Sequence, residues 1–321
     1  MRPPISTLQR ELERLVQTYS ADSRLANDPL QFARRHLEEG RPKAEIEAIA
    51  LYSAMLSYGK VDLFLAVIRQ TLDLAHDRFL DFVTAHPFSQ HQVSQISPGR
   101  SRTQEPAGLV ESDRQSIAQT VSTPAGFPRY RLSTADEIWH FARAIGWVVR
   151  VDGGLFPSFY AGFVPQRSLR EGLVSLRNRL LDGLHAHHVD LSPGLAHLLP
   201  DPALGGACKR WLMFLRWVVR PDDGLDLGLW REIPAAVLLI PIDRHVSAIA
   251  RALGLTQRKT DDWKTAEEIT TALRRFAPDD PVRYDFALAH LGISGECTHG
   301  RDPAACRTCR LRTLCTHGTM R

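Results

Sequence analysis

No run in this chain of 321 residues is apolar for long enough to cross a membrane, and Met1-Arg2-Pro3-Pro4 leads into a charged amphipathic stretch without the apolar core of a signal peptide. Both absences point to a cytoplasmic protein in a reducing compartment. Strand-like alternation is also missing, which leaves an all-α fold class. Charge of one sign is scarce: 40 Lys and Arg against 36 Asp and Glu give a formal net charge of +4, which permits a nucleic-acid partner without arguing for one. Cysteine is nearly absent until the end. Cys208 stands alone, while Cys297, Cys306, Cys309 and Cys315 crowd the last 25 residues. A disulfide framework would be spread more evenly and would belong to a secreted chain, so the clustered thiols read as metal ligands.

What is present is helical spacing. The pattern predicts helices over 7–19, 30–38 and 43–58, and one continuous helix over 61–85. Further helices are expected from about 134 to 150 and over 168–186, 206–220, 243–253, 263–276 and 281–291, the last opened by Asp280-Pro281. Residues 89–126 break the pattern, with seven Ser, six Gln and no Phe, Trp or Tyr in 38 positions. Such a segment buries too little apolar surface to offset its ordering entropy and reads as a mobile, dispensable insertion. The length is enough for one large core or two smaller ones.

Three stretches carry chemistry. Cys297-x8-Cys306-x2-Cys309-x5-Cys315 can wrap one cluster or one ion, and the spacing leaves an iron–sulfur cluster and zinc both open, with His299 and His317 as substitute ligands. Gly205-Gly206, just ahead of a helix, leaves backbone N–H groups open to a phosphate, or makes a tight turn. On the helix that follows, Ala207, Trp211, Phe214, Leu215 and Val218 share an apolar face. Lys209, Leu212, Met213, Arg216 and Arg220 share the other, a cationic stripe expected to meet phosphate or solvent. Asp243 stands where the next helix needs its N-cap, and a cap carboxylate keeps one oxygen for other work. His245 reads as a structural or interface histidine.

Taken together, these stretches resemble the helix-hairpin-helix DNA glycosylase superfamily. The cysteine loop is similar to the cluster loop of the endonuclease-three branch, whose usual first spacing is x6. Pro241-Ile242-Asp243-Arg244-His245-Val246 is similar to the superfamily's aspartate motif. Gly205 to Lys209 resembles its hairpin glycines and Schiff-base lysine, although the 34 positions from Lys209 to Asp243 are nearer to the archaeal 8-oxoguanine glycosylase pattern. A resemblance covering most of the chain outside the insertion is to the bacterial family catalogued as domain of unknown function 2400. It rests on Met55-Leu56-Ser57-Tyr58-Gly59-Lys60-Val61, on the stretch from Ala207 to Trp217, and on Tyr284 to Ile293.

The resemblance implies two helical lobes flanking a cleft, one of residues 41–235 and one of 1–40 with 236–321, facing Lys209 and Asp243 across it. It implies a DNA base-excision glycosylase with lyase activity that acts on a flipped nucleotide of duplex DNA, with Lys209 as nucleophile and Asp243 as carboxylate. Gly205, Gly206, Arg216 and Arg220 would hold phosphates, and Tyr58 would fill the vacated stack. It favours a 4Fe-4S cluster on the four cysteines. A non-catalytic nucleic-acid-binding module with a structural metal, and an RNA-directed glycosylase, stay open as alternatives. A monomer is expected.

Overall fold

Capping side chains mark where several helices of this chain begin. The structure, a computed structural model, describes residues 5–19, 25–85 and 122–319. Among them the first five helices are α1 (Ile5–Thr18), α2 (Leu30–Glu38), α3 (Lys43–Leu56), α4 (Val61–Leu74) and α5 (Phe79–Thr84). The next four are α6 (Ala135–Asp152), α7 (Phe156–Phe163), α8 (Leu169–Ala186) and α9 (Pro193–Leu198). The remainder are α10 (Lys209–Val219), α11 (Arg244–Ala252), α12 (Trp263–Arg274), α13 (Asp285–Ile293), α14 (Pro303–Thr308) and α15 (Thr316–Thr319). No strand occurs among the described residues; the extended pairings Tyr130 with Ser133 and Gly206 with Asp262 are isolated bridges. The fold is all-α. No helix of the described residues is long and apolar enough to cross a membrane.

Two expectations are corrected here. The helix expected over 61–85 is two helices, because His76 and Asp77 turn into the left-handed region, with φ of 49° and 54°. The last long helix starts at Asp285 instead of Pro281, since Asp280-Pro281 opens a turn whose N–H bonds run from Arg283 to Asp280 and from Asp285 to Val282. The insertion expected at 89–126 lies, for residues 89–121, outside the described residues.

The chain divides into two compact units. The first gathers the described residues of 1–40, 53–57 and 201–321, and the second those of 41–52 and 58–200. In the second unit, α6 opens on a reciprocal capping box. Thr134 Oγ1 accepts from the Glu137 N–H, and Glu137 Oε2 accepts from the Thr134 N–H at 2.7 Å. Two buried carboxylates do the same work from a distance: Glu45 takes the first N–H groups of α5, and Glu47 takes the Leu155 N–H ahead of α7. Tyr52, Phe79, Phe141 and Phe159 fill the core above them.

In the first unit, α1 buries Leu8, Leu12 and Leu15 and packs on α13. Polar ties reinforce it: Tyr284 donates to Glu13 at 2.6 Å, Tyr19 to Glu296 at 2.7 Å, and Gln9 to the Phe276 carbonyl at 3.0 Å. Residues 201–235, expected with the preceding helices, belong to this unit. Ion pairs stitch them there, from Arg34 to Asp222, from Arg216 to Asp285 and from Arg220 to Asp280.

Candidate active site and cysteine pocket

Lys209 is the first residue of α10 and Asp243 caps α11, so two helix starts bring an amine and a carboxylate together. Lys209 Nζ lies 2.9 Å from Asp243 Oδ2. The other oxygen, Oδ1, accepts from the backbone N–H of His245 at 2.8 Å and of Val246 at 3.0 Å. The cap therefore fixes the carboxylate in position. Burial works to raise the Asp243 pKa, but the Lys209 ammonium and the two N–H groups outweigh it and hold the carboxyl below its usual range. Both side chains keep contact with solvent, Lys209 more than Asp243. Both residues belong to the first unit, so the pair forms within one unit and not across two lobes as expected.

The rest of the α10 polar face differs from its sequence reading. Every residue from Trp211 to Val219 is buried, including Leu212 and Met213, and Arg216 is only 4 % exposed. Arg216 donates to Asp285 at 2.7 Å and pairs with Asp226 at 3.2 Å. Arg220 is bound by Asp226, Asp280 and Asp223. These guanidinium groups face carboxylates inside the unit and are not a phosphate-facing stripe.

Asp285 is the residue that sequence reasoning missed. It is buried, it feels the charges of Lys209 and Asp243, and burial pushes its carboxyl up against the opposing pull of Arg216. A signal for it existed. Lys209, Arg216 and Arg220 sit seven and eleven positions apart on one helix face, and arginines on a face that also carries Leu and Met require buried acids.

Gly205 and Gly206 are open. A Cβ on either would meet nothing within 4 Å, and Gly205 uses φ +75° to turn the chain. The Gly205 carbonyl accepts from the Trp263 N–H, which anchors the turn, and the neighbouring Leu204 is 85 % exposed. Tyr58 lies in the second unit. Its hydroxyl donates to the Tyr130 carbonyl at 3.1 Å, and its ring packs 4.8 Å from Tyr130 and 4.5 Å from His197. That packing makes it a structural tyrosine of its unit, where the sequence suggested a projecting wedge.

Cys297, Cys306, Cys309 and Cys315 line one cavity with Ile249, Leu253, Leu291 and Leu311. The Cys297 N–H donates to the Leu291 carbonyl at the end of α13, and the Cys315 N–H to Leu311. Burial, together with the charges of the neighbouring thiols, pushes Cys297 and Cys309 up from the usual thiol range. Among the described residues, no three His, Cys, Asp or Glu side chains converge as they stand on a single ion position. His299 reaches into the same cavity, with Nδ1 3.7 Å from Cys297 Sγ and Nε2 3.0 Å from His245 Nδ1. Burial lowers the pKa of both imidazoles; Arg244 adds to this at His245, where Asp243 opposes it, and His245 adds to it at His299.

Residues 99–294 match the family described as Protein of unknown function (DUF2400). The chain belongs to this family. The match contains the turn at Gly205-Gly206, Lys209, Asp243 and Asp285, and it ends three residues before Cys297, so the cysteine loop lies beyond the family's matched region. No curated protein and no solved structure matches the chain.

Proposed function

We propose that this DUF2400 protein is a nucleic-acid glycosylase with lyase activity that removes a damaged or modified base from duplex DNA. The observation that carries the reading is the Lys209–Asp243 pair. An amine and a carboxylate lie 2.9 Å apart at the starts of two helices, partly open to solvent, beside a glycine turn with room for a phosphate. A base inside a duplex hides its glycosidic bond, so the target nucleotide must be flipped out of the stack.

Lys209 attacks only as the neutral amine, so its ammonium first gives up a proton, which Asp243 passes on to water, and the carboxylate is ionised again before the base departs. The nitrogen then bonds to C1′ while the bond from C1′ to the base breaks, and the base leaves with that electron pair and takes up a proton. As positive charge develops on the sugar, the Asp243 carboxylate stabilises it. Opening of the sugar ring, with O4′ protonated, leaves a protonated imine on Lys209, from which strand cleavage can follow. Gly206 offers its backbone N–H to phosphate, whereas the Gly205 N–H is already given to the Pro202 carbonyl at 3.3 Å. Arg216 and Arg220 hold the helix that carries Lys209.

The cavity lined by the four cysteines is where a metal group would sit, and the likeness of the loop to an endonuclease-three cluster loop favours an iron–sulfur cluster over one zinc ion. Cys297, Cys306, Cys309 and Cys315 would hold it. Its contribution there is to staple a loop with little apolar core of its own, and no step of the base removal passes through it.

Borohydride trapping on duplexes with damaged bases tests the assignment. Wild-type protein should form a covalent adduct with one of them, and Lys209→Gln should form none while binding the same duplex. An adduct that survives in Lys209→Gln sinks the nucleophile assignment. Salt-sensitive duplex binding with neither an adduct nor base release on any substrate, in DNA or RNA, makes the chain a non-catalytic binding module.

A further inference from the structure

Three side chains outside the Lys209–Asp243 chemistry connect the start of α11 to the cysteine pocket. Arg244 Nε lies 3.3 Å from His245 Nε2, His245 Nδ1 lies 3.0 Å from His299 Nε2, and His299 Nδ1 lies 3.7 Å from Cys297 Sγ. A guanidinium can only donate. His245 Nε2 must then offer its lone pair, and the proton of the neutral ring is on Nδ1. That N–H faces His299 Nε2, which must accept, so the His299 proton also lies on Nδ1 and points at the sulfur. A single arrangement of protons satisfies all three contacts, and every donor in it points the same way, toward Cys297.

We propose that Arg244, His245 and His299 form a directed hydrogen-bond chain that ends on the Cys297 sulfur, and that His299 is thereby a positioning residue for the metal group held by the four cysteines. The inference rests on the metal-holding reading of the loop. Hydrogen bonds in series polarise one another, so the last N–H is a stronger donor than an isolated imidazole. An N–H directed at a coordinating sulfur draws electron density from it and fixes its rotamer, the kind of support that ligands receive from the residues behind them. The chain is also anchored at its other end. The His245 N–H donates to Asp243 Oδ1, and a Cβ built on Gly292 of α13 would lie 2.5 Å from His245 Cβ, so the imidazole occupies space that only glycine leaves free. One short segment thus caps the candidate catalytic carboxylate and aims a donor at the first cysteine.

The test uses the full-length protein as purified without air, with its iron, sulfide and zinc measured first. A protein isolated with no metal overturns the metal reading, and that result is seen before any variant is made. Long-range proton–nitrogen spectra of histidine-labelled protein should find both His245 and His299 as the Nδ1–H tautomer, whichever metal is bound; Nε2–H on either ring overturns the chain. His299→Leu removes the donor at similar volume and should release metal to excess EDTA roughly tenfold faster than wild type, the scale on which residues behind metal ligands act. His299→Gln, whose amide both donates and accepts, should recover most of the difference. Equal release from wild type and His299→Leu overturns the positioning role. Should neither variant fold, the tautomers of the wild-type rings decide.

Discussion

Asp243 gives one oxygen to a helix and the other to an amine, and substitution can separate the two. Asn caps about as well as Asp, so Asp243→Asn should fold with its cap intact, be less stable than wild type at neutral pH by the lost Lys209 ion pair alone, and lose base-removal activity. Asp243→Ala should also lose about 1 kcal/mol from the missing cap. The acid behaviour follows from the direction of the pKa. The folded carboxyl titrates below its unfolded value of about 4, so its stabilising contribution is fully present above that value and is lost as pH falls through the folded pKa. The stability difference between wild type and Asp243→Asn, read by urea unfolding, should therefore be constant from pH 7 to 5 and shrink below about 4. A difference that shrank between pH 7 and 5 would assign the effect to another group. This residue was legible in the sequence because capping is local: the donors are two and three positions away. Asp285 was legible only indirectly, since the arginines of α10 call for buried acids but the partner of Arg216 is 69 positions distant and nothing near it in the chain announces one.

At the scale of the element, α10 shows where helical periodicity misleads. Its apolar face was read correctly from Trp211, Phe214, Leu215 and Val218. Its polar face was taken as exposed because Lys and Arg mark it, yet Arg216 and Arg220 are enclosed by acids from the 222–226 turn and from residues 280–285. Removing one member of such a network leaves buried charge uncompensated, which typically costs 3–5 kcal/mol. Arg216→Ala should therefore lose much of the protein's thermal stability, measured by calorimetry, where a phosphate-contacting arginine would cost almost none. A near wild-type melting temperature with weakened duplex binding would restore the exposed reading. The short helices α7, α9, α14 and α15, none longer than eight residues, escaped the sequence for a simpler reason: they are too short to display a period.

On the scale of the whole molecule, the first unit is closed by its two chain ends, since α1 supplies three buried leucines and its polar ties reach residues 276–296. Each such leucine is worth roughly 1.5–3 kcal/mol when buried, so deleting residues 1–19 should unfold much of this unit. Fluorescence of Trp211, Trp217 and Trp230, all buried there, should report it. Unchanged emission and metal content after the deletion would mean that α1 is an accessory helix. All-helical class and two units could be anticipated from the chain. The division at residue 200 could not, because it is set by ion pairs whose partners lie far apart in sequence.

Gly292 leads furthest beyond this single chain. Its missing Cβ and the imidazole of His245 occupy one volume between two helices, so neither position is free to drift alone. Across related proteins the two should vary as a pair: where 292 acquires a side chain, 245 should be glycine or the two helices should stand further apart, because the nearest atom to the added carbon is the Cβ of residue 245 itself.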